Sequence, residues 1–271
     1  MSTDRKILFT DLDETLLTTD KKICSENVKA IRKMVEAGHI FAINTGRPYN
    51  AAAKLTKDLN LGKNCYILSF HGTNVYDCYQ NKVINANYLH TEKAIKILKD
   101  IDKEGIHSQT FTFDGIYTTC DDDIMVEYNK YTFEPVNFVN DYDEIKEKKL
   151  YKVMAIDFND HDRLDAFQNK YIDETQTDFN TFFSCPEYLE YTLKGADKGD
   201  GVKFLAGHLG ISIDNTVAVG DEGNDMPMIK AAGVGVCMNN GFFKVKDIAD
   251  YVTENDNNNG GIAEVIHKFI L

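Results

Sequence analysis

Four short stretches of this chain place together residues able to do chemistry. The first is Asp11-Leu12-Asp13-Glu14-Thr15, directly after the apolar run Lys6–Thr10. In an extended run, residues i and i+2 point to the same side, so Asp11 and Asp13 would overlook one crevice. Two carboxylates so placed can hold a hard cation through oxygen. One can also attack phosphorus while the other handles a proton. A helix cap or a solvated acidic turn would use the same residues, and the pair alone does not decide. The second stretch is Asn44-Thr45-Gly46-Arg47. A hydroxyl, a glycine that lets backbone N–H groups approach, and a cation make an anion cradle. The competing reading is an ordinary turn with Pro48 opening the next helix. The third is Lys198, within Gly195–Gly201, whose ammonium could neutralise a phosphate or keep two carboxylates from sharing a proton. The fourth, Gly220-Asp221-Glu222-Gly223-Asn224-Asp225, packs three acids and an amide between glycines. Their mutual repulsion calls for a cation to offset it.

The elements that must carry these stretches follow from hydrophobic periodicity. Lys6–Thr10, His39–Asn44 and Cys65–Phe70 are apolar enough for buried strands. A helix begins at Ser25 as its cap and ends at Gly38, and a second spans Tyr49–Leu59. Short connections between alternating strands and helices predict an α/β fold with a doubly wound, mainly parallel sheet. The middle of the chain is different. A helix over Thr91–Lys103 is followed by strand-like Ser108–Phe113, Gly115–Thr119, Leu150–Phe158 and Leu189–Leu193, with a helix near Asp162–Ile172. The first rhythm returns with helix Lys198–Leu209, strand Thr216–Val219, helix Asp225–Ala232, strand Gly235–Met238 and helix Ile262–Phe269. The expected architecture is a Rossmann-like core of 1–82 and 191–271, interrupted by an inserted α+β cap of 83–190. Asn255–Gly261 reads as a solvated turn.

Bulk properties narrow the function. The 271 residues include 43% hydrophobic and 27% charged, ordinary for a globular protein. The net charge of −13 argues against non-specific nucleic-acid binding, which needs a cationic face. Residues 83–190 hold 23 acidic and 11 basic residues, so nearly all the excess lies in the cap. No stretch approaches the ~18 apolar residues of a membrane span, and the opening residues lack the apolar core of an export signal. A cytoplasmic protein with no membrane partner is expected. The six cysteines form no CxxC pair and none sits at zinc-ligand spacing with a histidine, so free thiols are expected.

Taken together, DLDETLL, NTGRP, Lys198 and GDEGNDMPMI resemble the four motifs of the haloacid dehalogenase superfamily of phosphatases. An insertion between the second and third motifs resembles its Cof-type branch. The resemblance implies a Mg²⁺-dependent phosphatase acting on a small-molecule phosphate ester. By position, it implies that Asp11 attacks phosphorus and binds Mg²⁺. Asp13 would be general acid and base and offer its backbone carbonyl to the metal. Leu12 by its backbone, Thr45, Gly46, Lys198 and Asn224 would hold phosphate, and Asp221 would complete the metal ligands. Arg47, Glu222 and Asp225 would support from behind. Two positions depart from the family. Glu14 stands where glycine is usual, and its side chain could face solvent or the crevice. His71-Gly72-Thr73 stands where Asn-Gly-Ala is common, so His71 could touch substrate or merely shape a turn.

An acidic cap would favour a monophosphate with a neutral or cationic remainder, such as a sugar phosphate or a phosphorylated cofactor-like metabolite. The competing reading is that acids such as Asp121-Asp122-Asp123 and Asp141–Glu147 are solvated surface. Phe111, Phe113, Tyr188 and Tyr191 could contact substrate or belong to the core. Two other functions share the motifs. A phosphomutase of the phosphomannomutase type would return the phosphoryl group to a sugar. A receiver-like module would accept phosphate without turnover, although such modules are far shorter and have no need of Asp13. The sequence leaves the oligomeric state open.

Overall fold

A computed structural model describes residues 5–271. The chain forms two compact units, one running up to Ala86 and resuming over Asp197–Leu271, the other spanning Asn87–Ala196.

The first unit opens with strand β1 (Ile7–Thr10), a kinked turn over Leu12–Leu16, helix α1 (Ser25–Glu36), β2 (Ile40–Asn44), α2 (Tyr49–Leu55) and β3 (Cys65–Ser69). A hairpin of β4 (Asn74–Asp77) and β5 (Lys82–Ala86) follows. The second unit holds α3 (Thr91–Lys103), β6 (His107–Thr112), β7 (Gly115–Thr118), α4 (Asp123–Thr132), β8 (Val136–Phe138), β9 (Lys152–Ile156), α5 (His161–Thr175), β10 (Phe179–Cys185) and β11 (Tyr188–Leu193). The chain then returns to the first unit through α6 (Lys198–Leu209), β12 (Thr216–Gly220), α7 (Met226–Ala231), β13 (Val234–Cys237), α8 (Phe243–Lys246), β14 (Tyr251–Val252) and α9 (Gly261–Val265).

The first unit's sheet runs β14-β13-β12-β1-β2-β3-β4-β5, parallel from β14 to β3 and antiparallel across the hairpin. Every residue of β1, β2 and β12 is buried, as apolar strands covered on both faces must be. Alternation divides β1 between two cores. Leu8 joins Ile31 and Met34 of α1 and Ile262 and Val265 of α9. Ile7 and Phe9 join Val202 and Leu205 of α6 and Met228 of α7. From β1 the chain winds outward through β2 and β3, and later outward the other way from β12. The order therefore reverses beside β1, and the carboxyl ends of β1 and β12 border the crevice where open α/β sheets bind ligands.

The second unit is a six-stranded, mostly antiparallel sheet, β10-β11-β9-β6-β7-β8. Its core gathers Ala94, Leu98 and Ile101 of α3 and Leu164 and Phe167 of α5 against Val153, Ala155, Leu189 and Tyr191.

The α/β fold class agrees with expectation, but several elements differ. The expected joins at 82/83 and 190/191 fall inside β5 and β11, and a strand cannot be parted from its ladder, so the units divide at 86/87 and 196/197. Helix α4 has a weak sequence signal because its cap, Asp122, lies in an acid run; the Asp122 side chain accepts a hydrogen bond from Met125 N–H. The β4–β5 hairpin and β10 are equally weak in the sequence, being short or only half-buried. Ser25 is the first helical residue of α1 and Cys24 is its cap. Asn255–Gly261 is no merely solvated turn, for Asn257 is 1% exposed. In the second unit, Asp121, Asp123, Asp141, Asp143, Glu144 and Glu147 are exposed, and Lys99 pairs with Asp141 and Asp143. These acids are solvated surface. Phe111 and Tyr191 are buried, Tyr188 is half-buried and Phe113 is exposed.

Leu98 has no exposure at the centre of the second unit's core. Leu98→Ala should cost about 2–5 kcal/mol of that unit's stability, read as a lower urea midpoint.

Candidate active site

Asp11 continues β1 by donating its backbone N–H to the Val219 carbonyl at 2.9 Å. Its side chain thereby emerges at the carboxyl edge of the sheet, between β2 and β12. Lys198, the first residue of α6, is fully buried and donates from Nζ to Asp11 Oδ1 and Asp225 Oδ1, both at 2.6 Å. Asp197 caps that helix by accepting from the N–H groups of Gly199 and Asp200. The Asn44 amide at the end of β2 donates to the Lys198 carbonyl at 2.9 Å, which anchors the lysine's backbone.

Asp225 has both oxygens engaged. Its Oδ2 accepts from the backbone N–H groups of Asp221 (2.9 Å) and Glu222 (3.0 Å), tying the acidic loop after β12 into a tight turn. A Cβ on Gly220 would lie 2.4 Å from the Asp225 side chain, so this turn needs glycine there. Asp221 is 5% exposed and accepts from the Thr15 hydroxyl at 2.5 Å. Thr15 was not among the expected site residues. The chain turns over Leu12–Leu16, so no alternation along the sequence marks Thr15.

Burial is the main cause that pushes the Asp11 carboxyl up to about 7 and the Asp221 carboxyl up to about 8. Neighbouring carboxylates add to the rise and Lys198 opposes it. Burial alone would lower the Lys198 ammonium, but Asp11 and Asp225 outweigh it and hold its pKa above the ordinary lysine range. Three buried acids thus face one ammonium, an arrangement short of positive charge. One oxygen from each of Asp11, Asp221 and Asp225 lies within 4.8 Å of the others. Asp225 is spent on Lys198 and the turn, whereas Asp11 and Asp221 each keep a second oxygen for a cation. An all-oxygen donor set of this kind fits a hard divalent ion.

Asp13 sits apart from that cluster but close enough to raise the Asp11 carboxyl. Its carboxylate is gripped by Arg47, with Nε at 2.6 Å and Nη2 at 3.0 Å, and by Lys21 Nζ at 3.0 Å. Burial works against ionisation, but the Arg47 and Lys21 interactions prevail and hold Asp13 below the usual carboxylate range. Arg47 therefore links the second motif to the first. Lys21 carries no sequence signal for this role.

Glu14 shows why glycine suits its position. Its φ is 53°, in the left-handed region, which costs a side chain roughly 1–2 kcal/mol. The glutamate is held there by Lys21 (3.1 Å), Thr19 (3.1 Å) and the buried Asn257 (3.0 Å), while Asn240 donates to its carbonyl at 2.7 Å. Its carboxylate thus supports the loop that carries Asp13.

Thr45 is buried, donates from N–H to the Leu68 carbonyl at 2.9 Å and accepts from Arg47 N–H at its hydroxyl. His71 is also buried, in a left-handed turn, and donates its N–H to the Thr45 carbonyl at 2.9 Å. Its imidazole lies where a Cβ on Gly46 would come within 2.5 Å, so His71 backs the Thr45–Gly46 loop. The Leu12 side chain is in the core. Asn224 has a buried amide oxygen without a partner among the described residues. The Glu222 side chain is exposed and caps its own turn, while its backbone N–H donates to Asp225.

Residues 8–266 match the family of haloacid dehalogenase-like hydrolases. A Streptococcus pyogenes protein is 32% identical over 98% of both chains. The Bacillus subtilis 5-amino-6-(5-phospho-D-ribitylamino)uracil phosphatase YcsE is 27% identical, over 99% of this chain and 97% of its own. The crystal structure of a haloacid dehalogenase-like hydrolase from Bacteroides thetaiotaomicron superposes with a TM-score of 0.89 at 26% identity, covering 97% of this chain and 99% of that one. With the fold, the order of the motifs and these matches in agreement, the chain belongs to the haloacid dehalogenase-like hydrolases, as a phosphatase of the Cof type.

Proposed function

We propose that this phosphatase hydrolyses a small phosphomonoester in two displacements, with Asp11 as nucleophile and Mg²⁺ as its metal. The buried Asp11–Lys198–Asp225 triplet, with Asp221 alongside, is the observation that carries this reading. Asp11, Asp221 and the Asp13 carbonyl would hold the ion. When bound, Mg²⁺ supplies positive charge that lets two anions, carboxylate and phosphate, approach each other.

In the first displacement a carboxylate oxygen of Asp11 bonds to phosphorus and the ester P–O bond breaks. The departing alkoxide takes a proton from Asp13. In the second, water attacks the phosphorus of the aspartyl-phosphate, Asp13 takes the water's proton, and the bond to Asp11 breaks to release phosphate. Lys198 fixes the attacking carboxylate throughout. The Leu12 backbone, Thr45, Gly46 and Asn224 cradle the phosphate oxygens. Asp13 must be protonated for the first step, yet Arg47 and Lys21 hold it ionised. An arriving dianion competes for the Arg47 guanidinium, and a carboxylate that gives up this partner can accept a proton.

The ester is a sugar phosphate or a phosphorylated cofactor-like metabolite, met in the cytoplasm. The name of the Bacillus subtilis relative, a phosphatase of a phosphoribityl compound, supports a substrate of this size. No helix among the described residues is long and apolar enough to cross a membrane.

Asp11→Asn should lose at least ~10³-fold in turnover while folding normally, because an amide can still accept from Lys198. Full turnover in that variant, across a panel of phosphomonoesters, would overturn the mechanism. Chelation of divalent ions should abolish hydrolysis and added Mg²⁺ should restore it. Asp13→Asn should cost ~10²–10⁴-fold on alkyl phosphates and less on an aryl phosphate, whose leaving group needs no proton. Gly46→Ala drives a methyl into His71 and should lower kcat/KM about tenfold, equivalent to ~1.4 kcal/mol; adding His71→Ala should recover part of it.

A further inference from the structure

The second unit brings together three side chains that sequence spacing kept apart. His107 lies at the start of β6, Cys120 just after β7, and Asp122 at the cap of α4. One ligand atom from each lies within 4.8 Å of the other two. The His107 side chain has no exposure, while Cys120 and Asp122 are half-buried and open a path to solvent.

The histidine's hydrogen bonds define what it presents to this cluster. Its Nε2 is 3.2 Å from Gln109 Oε1, an atom that can only accept, and the Gln109 amide nitrogen faces the Met154 sulfur at 3.5 Å. Nε2 therefore carries a proton, and a neutral ring offers its lone pair at Nδ1. That nitrogen lies 2.9 Å from both oxygens of Asp122. Two acceptors so close repel unless a positive centre lies between them, which a second ring proton or a metal ion would supply. The outer hydrogen bond to an amide carbonyl is the one that metal-ligating histidines typically make.

Cys120 brings a sulfur ligand to the same cluster. Its sulfur accepts from the Ser108 N–H at 3.5 Å, and its thiol donates to Asp102 Oδ1 at 3.9 Å. Asp102 is itself held by the hydroxyls of Ser108 and Thr119. β6, which begins at His107, pairs antiparallel with β7, and Cys120 follows two residues after β7 ends. A tetrahedral ion with bonds of roughly 2.0–2.3 Å needs ligand atoms about 3.3–3.8 Å apart, within reach of small side-chain rotations from the observed cluster.

We propose that His107 Nδ1, Cys120 Sγ and one Asp122 oxygen form a Zn²⁺ site in the second unit, with its fourth position left to water. Thiolate and imidazole select zinc over magnesium, so the site is chemically distinct from the all-oxygen cluster of Asp11, Asp221 and Asp225. Zinc there joins the start of α4 to the sheet.

Cobalt(II) is the probe, because its thiolate bond gives a near-ultraviolet charge-transfer band that an all-oxygen site cannot produce. The full-length protein, stripped of metal and held in excess Mg²⁺, is titrated with Co²⁺. The band should saturate at one equivalent, disappear on adding Zn²⁺, and be absent from Cys120→Ser. Asp122→Asn, which keeps the helix cap, should weaken Zn²⁺ binding by about ten- to a hundredfold. Zn²⁺ should raise the melting temperature of the parent protein and not of Cys120→Ser. Absence of the band from folded parent protein, or a band undiminished in folded Cys120→Ser, would overturn the proposal. If Cys120→Ser does not fold, unchanged Zn²⁺ affinity in folded Asp122→Asn would do so.

Discussion

A single ammonium group holds the active-site region of this protein together. Lys198 lies fully buried between Asp11 and Asp225, 2.6 Å from an oxygen of each. A buried charge is tolerable only when paired, and here each partner belongs to a different structural feature. Asp11 ends the central strand, Asp225 closes the acidic turn after β12, and Lys198 begins α6. The lysine therefore ties three chain segments at the sheet's switch point. It neutralises only part of the acid it meets, and Asp11 and Asp221 remain raised toward neutrality. That shortage of positive charge is what makes the cluster suited to a divalent ion.

Around this ion triplet, the backbone is held in shapes that need support. The turn after β1 passes through a left-handed Glu14, and the residue's side chain offsets the strain by engaging Lys21, Thr19 and Asn257. Lys21 then reaches Asp13, so an unusual residue at a glycine position is coupled to the proposed acid and base. His71 has a similar part on the neighbouring loop. Its imidazole fills the space beside Gly46, and its N–H fixes the Thr45 carbonyl. Both departures from the family pattern thus act as loop supports.

The second unit obeys the same physics with different residues. Its excess acid is spread over solvated positions, and the ion pairs of Lys99 with Asp141 and Asp143 are surface pairs of small energetic weight. Its unusual polar feature lies instead where His107, Cys120, Asp122 and Asp102 gather at the start of β6.

The core's alternation of strand and helix was legible because apolar runs and their spacing are local properties, and the boundaries of α6 agree with the periodicity to the residue. The strands' carboxyl ends were legible for the same reason, which placed all four motifs at one edge of the sheet. Short or half-buried elements such as β4, β10 and α4 were not, since their stability comes from neighbours distant in sequence. The sequence by itself determined which residue types stand at the strand ends, and with them the class of chemistry. Only the tertiary structure decided which of them touch. Lys198 meets Asp11 across 187 residues, Thr15 meets Asp221 across 206, and Asn257 meets Glu14 across 243. Cys120 likewise reaches His107 only because β6 and β7 pair. Such contacts depend on strand register and on the paths of loops, which emerge only when the whole chain has packed.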